Sequence, residues 1–140
     1  MIDQKTAPYA ALILRAALGV MYVAHSLLKV FVFTPSGSAG FFGSVGLPPA
    51  LAYVTIVLEL VGGLLLLGGI YTRWVALALT PILLGTIVFV HGANGWLFSS
   101  AGGGWEYPAF LIAASFAQAL LGDGAHAIKV PRPSSARSPV

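Results

Sequence analysis

The chain has 140 residues, of which 58% are hydrophobic and only 8% charged, and its mean hydropathy is +0.91. Soluble domains carry roughly 25% charged residues, so this composition excludes an ordinary soluble globule and points to an integral membrane protein. The absence of cysteine excludes disulfides, thiolate metal sites, iron–sulfur clusters and thiol redox chemistry by this chain alone, and a net charge of +3 on scattered residues excludes a nucleic-acid surface.

The start, Met1 to Pro8, lacks the basic region and cleavage site of a secretory signal, and the apolar run behind it is too long for one, so the first span is expected to be retained. That span covers about residues 8–33. Arg15, Gly19, Tyr22, Ser26 and Lys29 recur at helical steps and share one stripe, with His25 at its border. A stripe of this polarity faces other helices rather than lipid.

Residues 34–48 hold no Lys or Arg and are rich in Gly, Ser and aromatics. They read as an outer loop, either lying in the interface with Phe41 and Phe42 at headgroup level or forming a lid over a pocket. The second span, about 49–70, carries Glu59 in its middle. An intramembrane carboxylate marks a functional site by default. Glu59 shares a stripe with Gly62, Leu66, Gly69 and Arg73, whose small residues permit close helix approach. By depth it is matched to Arg15 or His25, and less evenly to Lys29, at about 1.5 Å of rise per residue.

The third span, about 74–91, contributes Thr80, Pro81, Gly85 and, at its outer end, His91. A second uncharged loop follows, with Trp96 and Trp105. The fourth span, about 107–122, opens on Glu106, Tyr107 and Pro108, where proline suits a first helical turn and a carboxylate suits the helix dipole. Tyr107, Leu111, Ala114 and Gln118 fall on one stripe, and Asp123 between two glycines reads as part of the closing turn. Residues 129–140 have the composition of a disordered tail.

Lys5, Arg73, Lys129, Arg132 and Arg137 place both termini and the Arg73 turn in the cytoplasm. The expected architecture is therefore all-α: an integral membrane antiparallel four-helix bundle, one domain over residues 1–128, with two longer outer loops.

The pieces Arg15, Gly19, His25 to Lys29, Gly46-Leu47-Pro48, Glu59 to Gly63, Gly68, Tyr71-Thr72-Arg73, His91, Gly104 to Tyr107 and Gly122-Asp123-Gly124 together resemble the DoxX family of small four-span membrane proteins. The resemblance runs from about Arg15 to Ile128. It departs at Ser26, where relatives often carry Gly, and at His126 to Ile128, where they often end in a Ser-Leu-Asp-like segment. It implies a multi-pass plasma (inner) membrane protein that serves as an oxidoreductase component, with relatives linked to quinone-coupled thiosulfate oxidation.

A quinone needs a flat apolar slot with proton donors near both carbonyl oxygens. His25, Glu59, His91 and Glu106 are the candidate catalytic groups; Tyr22 and Tyr107 are candidate slot walls, and Arg15 and Lys29 candidates to hold carboxylates or an anionic substrate. The alternatives are structural ion pairs, Arg15 to Glu59 or Lys29 to Glu106, and a non-enzymatic scaffold or assembly factor for a partner enzyme. Haem between His25 and His91, or a metal on His25, Glu59, His91 and Glu106, rests on two histidines without a supporting pattern, and no bound metal is predicted. Proton-coupled transport also fits intramembrane acid–base residues. The expected partners are the lipid bilayer and either a soluble redox protein or further copies of the chain.

Overall fold

Pro8 lies in the first turn of a helix, where its missing N–H costs nothing. With no further proline before Pro35, helix α1 runs over Ala7–Leu27 and passes directly into a π-helical turn, Leu28–Val32. The computed structural model describes residues 3–128, so the tail expected to be disordered over 129–140 lies outside the described residues.

Thr34 reverses the chain with a φ of 62°, and its hydroxyl accepts the Gly37 N–H at 3.1 Å. This cap starts α2, Pro35–Ser44, so the segment read as an outer loop contains a helix. The correction has a physical cause: a threonine cap followed by proline nucleates a helix even through Gly and Ser when there is a surface to pack against. That surface is α3, Ala50–Gly68, together with the π turn after α1.

Helix α3 stops at Gly69, whose φ of 70° is the left-handed C-terminal cap, and Ile70 N–H returns to the Leu65 carbonyl at 2.9 Å. Helix α4, Thr72–Thr86, carries Pro81 within it and continues through a second π turn, Ile87–His91, and a 3₁₀ turn, Gly92–Asn94. Helix α5 spans Glu106–Leu121. The described residues are all-helical. Three stretches, Ala7–Val32, Ala50–Gly68 and Thr72–Asn94, are long and apolar enough to cross a membrane; α5 is a shorter apolar helix.

Helix α1 packs against α3 and α5, and α4 packs against α5 and α3. Leu18, Tyr22, Leu66, Ala76, Leu79, Leu83, Leu111 and Ala114 form the core, while Val20, Leu64, Trp74, Phe110 and Leu120 point outward. Glycine sets the closest approach. A Cβ on Gly63 would lie 2.9 Å from the Gly19 carbonyl and 3.0 Å from the Val23 amide, so α1 and α3 meet backbone to backbone there. After α5 the chain crosses the ends of α1 and α3: Ala125 N–H donates to Pro8 at 2.8 Å and Ile128 N–H to Gly68 at 2.9 Å.

Candidate functional site

Glu59 is buried, and its partner is Lys29. The ammonium Nζ lies 2.9 Å from Oε1 and 2.7 Å from Oε2, so one cation bridges both carboxylate oxygens. This corrects the depth argument that favoured Arg15 or His25. Helical side chains lean toward the N-terminus of their helix. Lys29 does so by a full turn, its Nζ lying 3.4 Å from the His25 carbonyl, which brings the charge down to the level of residue 25. The aliphatic stem covers the difference in depth that its Cα shows.

The pair forms part of the wall of a cavity of about 840 Å³ between the C-terminal part of α1 with its π turn, the N-terminal half of α3 and the C-terminal part of α4, roofed by α2. Its lining is mainly apolar and includes Phe33, Phe41, Phe42, Leu58 and Phe89. The polar exceptions are few: Lys29, Glu59, His25, His91, and the small hydroxyl groups of Ser38, Thr55 and Thr86. Both π turns end at this cavity, one carrying Lys29 and the other His91. Such turns recur at functional sites because the extra residue re-aims side chains.

The two histidines are held alike. His25 Nδ1 lies 2.9 Å from the Met21 carbonyl and His91 Nδ1 lies 2.9 Å from the Gly103 carbonyl. A carbonyl only accepts, so Nδ1 carries the proton in each ring and Nε2 remains for exchange. Nearby, Pro81 and Gly85 of α4 also border the space, and a Cβ placed on Gly85 would meet no atom within 4 Å.

The other candidates sit elsewhere. Arg15 is fully buried at the opposite end of α1, donating through Nη1 to the carbonyls of Leu66, at 3.0 Å, and Leu67, and through Nη2 to Ala125 at 2.9 Å. It closes the C-terminus of α3, where carbonyls lack helical partners and a cation is favoured. The Arg15–Glu59 pair considered from sequence is therefore not formed. Tyr22 is buried in the core rather than in the cavity lining.

Glu106 accepts the Phe98 N–H at 2.8 Å and pins the loop after α4, so it pairs with backbone and not with Lys29. Tyr107 points outward, because the buried face of α5 runs through Pro108, Leu111, Ser115 and Gln118 and not through position 107. The outer-end convergence thus reduces to His25, Lys29, Glu59 and His91. Among the described residues, no group of three or more His, Asp or Glu side chains is placed to hold a metal ion.

Sequence reasoning offered residues 34–48 as a lid over a pocket but missed that the lid is a helix, α2, whose Gly37, Ser38, Phe41 and Phe42 line the cavity. The Thr34-Pro35 pair was the available signal. It also missed Asp123, whose Oδ1 accepts the Thr72 N–H at 3.0 Å and so caps α4 from beyond α5.

A family model described as DoxX matches residues 10–92. Every residue lining the cavity falls inside that segment, whereas Glu106 and α5 fall outside it. A Bacillus subtilis (strain 168) protein named "Putative oxidoreductase CatD" is 37% identical over 86 residues, which make up 61% of this chain and 63% of that protein. A Haemophilus influenzae protein described as uncharacterized is 34% identical over 103 residues, 72% of this chain and 75% of its own. The match thus spans under two thirds of the Bacillus relative. No solved structure gives a significant match.

Proposed function

This chain belongs to the DoxX family of multi-pass membrane proteins, and from that premise we propose that it is the membrane subunit of an oxidoreductase complex that takes a quinone into the Lys29–Glu59 cavity. The carrying observation is the cavity itself. A volume of about 840 Å³ lies within the roughly 300–1,000 Å³ usual for small-ligand sites, and a few polar groups interrupt a mainly apolar wall.

A quinone takes up two electrons and two protons. In this reading the electrons come from a partner protein, since the chain has no cysteine to hold an iron–sulfur cluster or to do thiol redox chemistry. The protons are handled by groups in the lining. Lys29 donates a hydrogen bond to one carbonyl oxygen, polarising it, and Glu59 keeps the ammonium charged and in place. His25 and His91, each with Nδ1–H fixed on a backbone carbonyl, use Nε2 to accept a proton from a quinol or, once protonated, to deliver one. Oxidation of a sulfur compound is the substrate chemistry that the family resemblance favours.

The membrane placement belongs to the same proposal. Helix α5 serves as a fourth crossing beside the three longer stretches, giving an antiparallel bundle in the plasma (inner) membrane. Lys5 and Arg73 favour a cytoplasmic Arg15 end, and uncharged loops at the cavity end favour an outer location.

A scaffold or assembly role is the second reading, favoured by Arg15 and Glu106, whose charges are both engaged with backbone. Mass spectrometry of the native complex, purified in mild detergent, separates the two. A retained quinone, lost with Glu59→Gln while the complex stays assembled, is the expected result. A partner protein retained without any quinone would support the scaffold and overturn the redox reading.

A further inference from the structure

Away from the cavity, the core holds polar atoms without partners. Tyr22 Oη, Ser115 Oγ, Gln118 Oε1, Thr72 Oγ1 and Arg15 Nε are buried and make no hydrogen bond among the described residues. Their residues are at most 1% exposed. Each such orphan costs about 1–3 kcal/mol. The ordinary remedy inside a protein is bound water, which needs a polar site with several partners.

These atoms fall into an order along the bundle. At the Arg15 end, Thr72 N–H donates to Asp123, Gln118 Nε2 donates to the Gly122 carbonyl at 2.7 Å, and Arg15 donates to Ala125. Arg15, Thr72 and Gln118 are thereby gathered around one turn, residues 122–125. Ser115 stands one helical turn farther on, on the same face of α5 as Gln118. Across from it on α1 is Tyr22, which shares the core with Leu111 and Ala114, the neighbours of Ser115, and which the Gly19–Gly63 approach on one side and the Ser26 Oγ bond to the Ile56 carbonyl at 2.8 Å on the other set level with Glu59 on α3. Tyr22 is seven residues from Arg15 and seven from Lys29, so each step spans about 10 Å of helix. The polar line therefore joins one end of the bundle to the wall of the cavity.

We propose that this line is a water-filled proton path that delivers protons from the Arg15 end of the bundle to the Glu59 carboxylate. Waters bridge the orphaned hydroxyl and amide oxygens. At each hop one O–H bond breaks as the next forms, no electrons move, and the last hop places the proton on Glu59. Neutralising Glu59 releases Lys29 from its ion pair toward the cavity. The path needs neither a quinone nor turnover, so it stands apart from the redox reading.

The test uses the full chain, uniformly oriented in liposomes, with the pH set independently on each side and no quinone added. An apolar carbodiimide reacts only with a protonated carboxyl, and peptide mass spectrometry counts the Glu59 adduct. The expected labelling rate rises about tenfold per unit of acidification on the Arg15 side, by mass action. It stays constant when only the cavity side is acidified. Ser115→Ala and Gln118→Leu interrupt the line and should flatten the response; if Gln118→Leu does not assemble, Ser115→Ala is read alone. A rate that follows the cavity-side pH, or an unchanged response in the assembled variants, overturns the proposal.

Discussion

Removing one member of the Lys29–Glu59 pair should cost far more than removing both. At 2.7 Å and an effective dielectric near 20, the attraction is about 6 kcal/mol before desolvation is subtracted. The Glu59 side chain is 5% exposed and that of Lys29 is 18% exposed, so the lysine retains a route toward water that the carboxylate lacks. Lys29→Met therefore strands the more deeply buried charge, with an expected loss of about 3–4 kcal/mol. The upper bound follows from protonation: neutralising an ordinary glutamate at pH 7 costs about 4 kcal/mol, and the fold will take that route rather than lose more. Glu59→Leu should cost about 3 kcal/mol, at the lower end of the range for breaking a buried pair. The double variant, Lys29→Met with Glu59→Leu, replaces the pair by apolar groups and is expected near wild-type stability, giving a coupling of at least about 3 kcal/mol. Denaturant unfolding in detergent, followed by tryptophan fluorescence, measures all four corners. Coupling below about 0.5 kcal/mol would refute the interaction as drawn. The same double variant should retain no quinone, which separates the pair's chemistry from its structural part.

A Cβ on Gly85 meets no atom within 4 Å and the residue borders the cavity, so Gly85→Phe should place its ring in that space and lower quinone retention at least tenfold while the melting temperature holds or rises, since glycine costs about 0.5–1 kcal/mol in a helix. By contrast, Gly63→Ala drives a methyl into the backbone of α1 and should lose about 1–3 kcal/mol in the same unfolding assay; wild-type stability would contradict the close approach at Gly19. Arg15→Met takes the guanidinium donors from the Leu66, Leu67 and Ala125 carbonyls, of which Leu66 keeps the Gly69 N–H, and should cost about 3 kcal/mol, with Arg15→Lys recovering only part because a lysine lacks the fork. Asp123→Ala should lose about 1 kcal/mol as the cap of α4 goes, and Asp123→Asn, which keeps an acceptor oxygen, should lose less.

Much of the fold was legible in the residues. The apolar runs marked three crossing helices and a fourth, shorter one, and step-of-three-and-four spacing placed Arg15, Gly19, Tyr22 and Ser26 on the buried face of α1. What failed was anything that depends on a side chain's direction or on contacts between distant segments. Depth counted from Cα positions passed over Lys29, whose stem folds back by a turn. Composition hid α2, since Gly and Ser weaken local propensity while packing on α3 holds the helix. Asp123 read as a turn residue because its partner, the Thr72 amide, lies 51 positions away. Of the expected α5 stripe, Leu111, Ala114 and Gln118 are buried, while Tyr107 in the first turn points outward and Pro108 takes the buried place.

The two cations of α1 give the strongest argument about Glu59. Arg15, the more deeply buried, is seated by the C-terminal carbonyls of α3 and by Ala125, with the Asp123 carboxylate near enough to act on it electrostatically. Helix-end carbonyls and a forked donor supply the hydrogen bonds of this cation. Lys29, the less buried of the two, could have been left to reach the interface, as lysines near helix ends do. Instead it is turned back onto a carboxylate placed in the middle of an apolar helix. Burying the Glu59 carboxylate in direct contact with the ammonium adds a desolvation cost. The carboxylate and its ammonium border the cavity, whereas Arg15 does not. Both buried cations thus have an acid nearby, but only Lys29 is in direct contact with its carboxylate, and only that pair borders the cavity, where a ligand would meet it.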